Sequence, residues 1–232
     1  MIKALLKEYI KQVLLEAAVT DIQHLALQMV THPLGPGLVL YDPTALETLV
    51  GDVGNFYLDG PLFQLPPGSI NGYIVIGEID EEHGPCLDSF QVQLSAAEKG
   101  YGPIMYDMAM ALSQELGHLL TADRIDISPL ARNIWDFYEN GRADVQSSPF
   151  DDIDNPKTPD PNDDCQLYGR SSLDSAYTNL SANSLRSLMH LLMQNSGETI
   201  NKIIENNPNF DEPRLINVIY LSGREFFSQK FG

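Results

Sequence analysis

The sequence predicts an α/β fold: a mixed, mostly antiparallel sheet flanked by helices, with extra helices at the N- and C-terminal ends. Three stretches carry that expectation. Tyr73-Ile74-Val75-Ile76-Gly77-Glu78-Ile79 is dense in β-branched and aromatic residues, the composition of a buried strand. Phe90-Gln91-Val92-Gln93-Leu94 alternates apolar and polar, the period of a half-buried strand. A Gly-x-Gly turn, Gly100 and Gly102, then stands directly before an apolar helix, and a further strand and helix follow.

Composition bounds the function classes. The 232 residues are enough for one substantial core, and 43% hydrophobic content is ordinary for a globular chain. Fourteen Lys+Arg against 32 Asp+Glu give a formal charge of -18. Such a surface repels nucleic acid and anionic membranes unless a basic patch is segregated, and the longest basic feature is the Lys3/Lys7/Lys11 row. No apolar run reaches the ~18 residues of a membrane span, and no signal-peptide pattern is present. The two cysteines, Cys86 and Cys165, make neither a disulfide framework nor a zinc site, so reduced thiols in a cytoplasmic protein are expected.

Taken in order, Met1 to Ala18 reads as an amphipathic helix, with Leu5, Leu6, Ile10, Val13 and Leu14 on its apolar stripe. Asp21 to Val30 fits either a helix or a strand. His32 to Gly37 is turn chemistry, and Leu38 to Tyr41 reads as a buried strand. Asp42-Pro43-Thr44 opens a short helix through Val50, capped by Asp42 or Thr44. Gly51 to Gly68 is expected as a surface loop, and Asn71-Gly72 as a tight turn. Tyr73–Ile79 and Cys86–Leu94 are then expected to pair antiparallel across Glu81–Pro85. Beyond Asp144, carboxylates crowd among Pro and Asn up to Asp164, without the glycine that a calcium loop needs at its sixth position. Ser184–Gln194 and Glu198–Asn206 have helical spacing, and Leu215–Phe227 is a last helix or strand.

The chemistry concentrates between Leu94 and Arg142. A strand, a glycine turn and a helix N-terminus together aim backbone N–H groups at an anion, usually a phosphate. Ala97-Glu98-Lys99-Gly100-Tyr101-Gly102 resembles the Arg/Gln-x-x-Gly-x-Gly/Ala pyrophosphate loop of GNAT-type N-acyltransferases, with both glycines kept. The resemblance continues through a helix at Pro103–Leu116, a strand at His118–Thr121 and a helix at Ser128–Asn140, and extends more loosely to GNAT-like proteins of bacteriophages.

It implies acetyl-CoA as acyl donor and an amine, of a small molecule or a protein, as acceptor. It implies that Lys99, Gly100, Tyr101 and Gly102 hold the pyrophosphate. The backbone of Val92 and Leu94 would bond the pantetheine arm where their strand splays from its neighbour. Two positions depart from the pattern. Ala97 replaces the Arg or Gln, leaving Lys99 as the nearest cation, with Arg124 and Arg132 as other candidates. Trp135 replaces the Tyr that often serves as general acid, and an indole N–H does not titrate usefully.

Glu78 is the base chosen from sequence, with Asp80 and Asp88 behind it, and Tyr138 is the acid one turn past Trp135. Gln114-Glu115-Leu116-Gly117-His118 lacks the first His of a zinc helix, and no metal is expected. The chain divides into 1–37 (amphipathic helix and connector), 38–150 (GNAT-like core), 151–168 (acidic Pro-rich loop) and 169–232 (helical extension). The alternative function is a catalytically degenerate structural or assembly protein, such as a phage virion component. The terminal helices would then serve a homo-oligomer or a larger assembly.

Overall fold

The computed structural model describes residues 22–53, 64–79, 86–124, 127–152, 154, 157–169 and 172–231. The helix expected over Met1–Ala18, Asp80, the Glu81–Pro85 turn and residues 54–63 of the Gly51–Gly68 loop lie outside them.

Strands β1 (Ala26–His32) and β2 (Gly35–Tyr41) form a hairpin that turns at Pro33–Leu34. The turn is tighter than its sequence suggests, because Gly35, Pro36 and Gly37 belong to β2. The β2–β3 ladder starts at Gly37 opposite Val75, one residue past Pro36, so the imino nitrogen withholds no bond from it. Asp42 Oδ1 accepts from the Thr44 N–H at 2.9 Å and caps helix α1 (Pro43–Val53), which runs three residues past its expected end.

Strands β3 (Ile70–Glu78) and β4 (Ser89–Ala97) pair antiparallel from Gly72–Ala97 to Glu78–Phe90. Asn71-Gly72 is therefore strand and not turn. Gly72 is small because helix α2 (Gly102–Glu115) presses on it: a Cβ there would come within 2.6 Å of the Met105 side chain. Next come β5 (Leu119–Thr121), helix α3 (Pro129–Gly141) and β6 (Val145–Pro149). The acidic stretch holds a two-stranded parallel ribbon of β7 (Asp151–Asp152) and β8 (Asp164–Gln166). The tail expected to be helical contains strand β9 (Ser175–Asn179) before helices α4 (Ala182–Asn206) and α5 (Glu212–Phe231). The two helices expected at 184–194 and 198–206 are one continuous helix.

Among the described residues, the main sheet has seven strands in the order β1-β2-β3-β4-β5-β9-β6, antiparallel except for β4–β5. It draws β1 from before residue 38 and β9 from beyond residue 150. One face packs Leu38, Ile74, Ile76 and Val92 against α2, α3 and the first half of α4. The other packs Val39, Tyr73 and Val75 against α1, α5 and the second half of α4. α4 wraps the β1 edge, and at its midpoint the Ser196 hydroxyl meets Tyr41 at 2.9 Å and Gln28 at 2.7 Å. α5 lies close on the sheet at Gly223, where a Cβ would sit 2.8 Å from the Tyr73 ring.

Cys86 and Cys165 are joined as a disulfide with Cα atoms 5.2 Å apart, which corrects the expectation of two reduced thiols. Their sequence separation of 79 concealed the pairing. The Leu87 N–H donates to the Asn162 carbonyl at 2.7 Å and brings the two segments together. Among the described residues, no helix is long and apolar enough to cross a membrane.

Candidate functional site

The parallel pair β4–β5 is short. Ser89, Phe90 and Gln91 face Leu119, Leu120 and Thr121, and there the pairing ends. From Val92 to Ala97 the second edge of β4 borders a cleft with two lobes. The smaller lobe, about 300 Å³, is lined by Val92, Leu94, Asp123, Ile127, Trp135 and Phe227 among others. The larger, about 710 Å³, runs past Ala97, Lys99, Gly100 and Gly102 to Asn133 and Lys230. Ser95, Tyr106, Ser128, Ala131 and Phe231 line both lobes, so the cleft is continuous.

The N-terminus of α2 opens into the larger lobe. Gly100 has φ +95°, a left-handed conformation that a side chain would strain. Gly102 differs: a Cβ there would make only ordinary contact, 3.5 Å, with Ile134. Chain packing leaves room at Gly102, and a ligand drawn up to the backbone would use that room. Pro103 occupies the first turn of α2, where its missing N–H breaks no helical bond. Lys99 and Lys230 line this lobe, and Lys230 reaches Glu98 at 3.0 Å. Both partners of that ion pair are substantially exposed, so it contributes little to stability.

At the junction of the lobes the Tyr106 hydroxyl and the Ser95 hydroxyl lie 2.8 Å apart. Burial pushes the Tyr106 hydroxyl up to about 12; the Ser95 bond pulls it down and the charge of Asp123 pushes it up. At neutral pH it is a protonated donor. Asp123 is the carboxylate of the smaller lobe, and its backbone carbonyl accepts from the Tyr168 hydroxyl at 3.2 Å. The Ser128 hydroxyl caps α3 by accepting from the Ala131 N–H at 3.2 Å, and both residues line the cleft.

The structure brings Val92, Leu94, Lys99, Gly100 and Gly102 to the cleft. Tyr101 is the N-cap of α2; its ring packs against the main core, and its N–H donates to the Glu98 carbonyl at 3.0 Å. Glu78 is exposed at the far end of β3, where its backbone carbonyl accepts from the Gln93 side chain at 3.0 Å. It does not line the cleft. Tyr138 is buried, and its hydroxyl donates to Asp107 at 2.8 Å and to the Pro103 carbonyl at 3.2 Å. The two residues chosen as base and acid are therefore on neither lobe and not together.

One further expectation changes, for Arg124. Arg124 is buried: it ion-pairs with Asp174 at 3.3 Å, donates to the Leu173 and Cys165 carbonyls, and lies between the Phe150 and Tyr168 rings. It holds the structure together away from the cleft. The acidic segment does gather Asp151, Asp163 and Asp164 within 4.8 Å. Asp151 is occupied there in ordering the loop, accepting the N–H groups of Asp152, Lys157 and Thr158.

Sequence reasoning missed Ser95, Tyr106, Asp123 and Phe227. Tyr106 sat in an apolar helix as one more aromatic, and the distance from Leu94 to Phe227 in the chain hides their meeting. The one usable signal was Ser95, a hydroxyl directly after the strand expected to splay, Cys86–Leu94. Comparisons with protein-family models, with curated proteins and with solved structures found no match for this chain.

Proposed function

We propose that this protein transfers an acyl group from acetyl-CoA to an amine. The observation that carries the reading is the parting of β4 from β5 directly beside a glycine turn at a helix N-terminus. A parted parallel pair exposes strand N–H and C=O groups that can bond the two amides of a pantetheine arm. The turn offers backbone donors and a helix dipole to the diphosphate, with Lys99 and Lys230 as its cations. Lys230, from the opposite end of the chain, supplies positive charge that Ala97 does not.

In this reading a neutral amine attacks the thioester carbonyl carbon. The C–N bond forms, the C–S bond breaks, the amine gives up a proton and the departing thiolate takes one up. Asp123 is the carboxylate suited to receive the amine proton, and Tyr106 is the donor beside the thiolate. The acidic surface favours a cationic acceptor.

A second reading, a GNAT-fold assembly protein without turnover, is favoured by one observation: the cleft wall carries Trp135 and neither Glu78 nor Tyr138. Titration with acetyl-CoA, followed by calorimetry and thermal stability, tests the first reading. Ligand at ~100 times its Kd adds about 2.7 kcal/mol of stability. Gly100→Glu should abolish that gain. Absence of binding at millimolar acetyl-CoA overturns the reading; binding without thiol release in an amine screen favours the second.

A further inference from the structure

We propose that the smaller lobe is a pocket for an apolar acyl chain, so that a medium-chain acyl-CoA is a better donor than acetyl-CoA. The proposal rests on the acyl-transfer reading above and adds the class of donor.

The placement follows from the shape of the cleft. A donor with its diphosphate at Gly100–Gly102 and its arm along the free edge of β4 runs from Ala97 toward Val92. Its thioester then reaches the junction, where Ser95 and Tyr106 put the polar groups common to both lobes. What lies past the junction receives the acyl group. There Val92, Ile127, Trp135 and Phe227, drawn from a strand, a loop and two helices, form an apolar wall for the acyl chain, and Gln93 and Asp123 form a polar wall left to the acceptor amine.

Size and chemistry agree. A lobe of about 300 Å³ holds the volume of roughly ten waters. An acetyl group, a carbonyl and one methyl, would leave most of it empty or wet against apolar walls. An alkyl chain fills it and removes that surface from water, which is favourable for every methylene buried. The wall on one face of the sheet comes from α5. Phe227 meets Tyr73 edge-on at 6.4 Å and lies 4.9 Å from the Phe231 ring, so the aromatic end of the helix is fixed on the sheet. Gly223, one turn earlier, lets the helix lie that close.

Calorimetric titration with CoA, acetyl-CoA and octanoyl-CoA tests this. The expected result is similar affinity for CoA and acetyl-CoA, and at least tenfold tighter binding of octanoyl-CoA. Phe227→Ala should bring the ratio of octanoyl-CoA to acetyl-CoA affinity close to one, each measured on the same variant. Because Phe227 also packs on Tyr73, Phe227→Leu serves as the milder variant and should reduce the advantage partly. Octanoyl-CoA binding no tighter than acetyl-CoA overturns the pocket and leaves the acyl-transfer reading standing. Failure of all three to bind overturns both.

Discussion

Strand β4 has two halves with opposite fates. Phe90 and Gln91 are paired on both edges, with β3 and with β5. Gln91 is buried there, and its side-chain carbonyl accepts the Arg124 N–H at 3.0 Å. Among the described residues, Val92–Ala97 is paired with β3 alone, and it borders the cleft. Neighbouring residues of α2 repeat the contrast. Tyr106 faces the cleft and meets Ser95, whereas Asp107 is enclosed and bonded to Tyr138 and Arg142. Both tyrosines are bonded within the chain, but only the Tyr106–Ser95 pair lies where a ligand can reach it. A side chain's chemistry does not tell which of these places it will take, and Tyr106 and Tyr138 differ only in what surrounds them.

The closed half is held by a buried ion pair. Arg124 and Asp174 are both fully buried, and Asp174 also accepts the N–H groups of Leu167 and Tyr168. Arg124→Ala leaves an uncompensated carboxylate in the interior and should cost about 3–5 kcal/mol. Urea denaturation measures it. A loss under about 1 kcal/mol would mean that the guanidinium is not what holds this buried corner of the fold together.

Asp107, on the enclosed side of α2, responds to pH. Burial pushes its carboxyl up to about 6 against the pull of Arg142 and Tyr138, from an ordinary 3.8. A raised folded-state value means that the folded protein holds the proton more tightly. The stability contributed is fully present below about pH 4 and is lost as the pH rises through 6. Wild type minus Asp107→Asn should therefore decline over that window, by roughly 3 kcal/mol for a two-unit shift, and level off above pH 7. A difference that stays flat from pH 4 to 7 would show the carboxyl titrating in the ordinary range. Acetyl-CoA affinity of the variant should be unchanged, since Asp107 is turned from the cleft.

The sequence made local features legible and long-range ones not. The β3–β4 pair, the α2 and α3 helices and the glycine turn were each written in a contiguous run of residues. The disulfide, the strand at Ser175–Asn179 and the reach of α5 to the cleft depend on segments far apart in the chain. Ser175–Asn179 is too short, and too evenly polar and apolar, to declare a period. Tyr138 was singled out by its offset from Trp135 along one helix. Offset gives the face of a helix but not what covers that face, and Asp107 covers it.

Glu78 is the smallest expected effect and separates sequence from structure most directly. It sits at the far end of β3, opposite Phe90 in the closed half, with its side chain exposed. A base must come within hydrogen-bond reach of the amine it deprotonates, directly or through one water. Glu78→Gln should thus leave stability within about 0.5 kcal/mol, as for most surface substitutions. It should leave kcat/KM within twofold, whereas Asp123→Asn should lower kcat while holding acetyl-CoA affinity. Steady-state thiol release over a pH series distinguishes the two. A steep loss in the Glu78 variant alone would put the amine on the closed side of the sheet and would reverse the assignment of the open half of β4 as the reactive one.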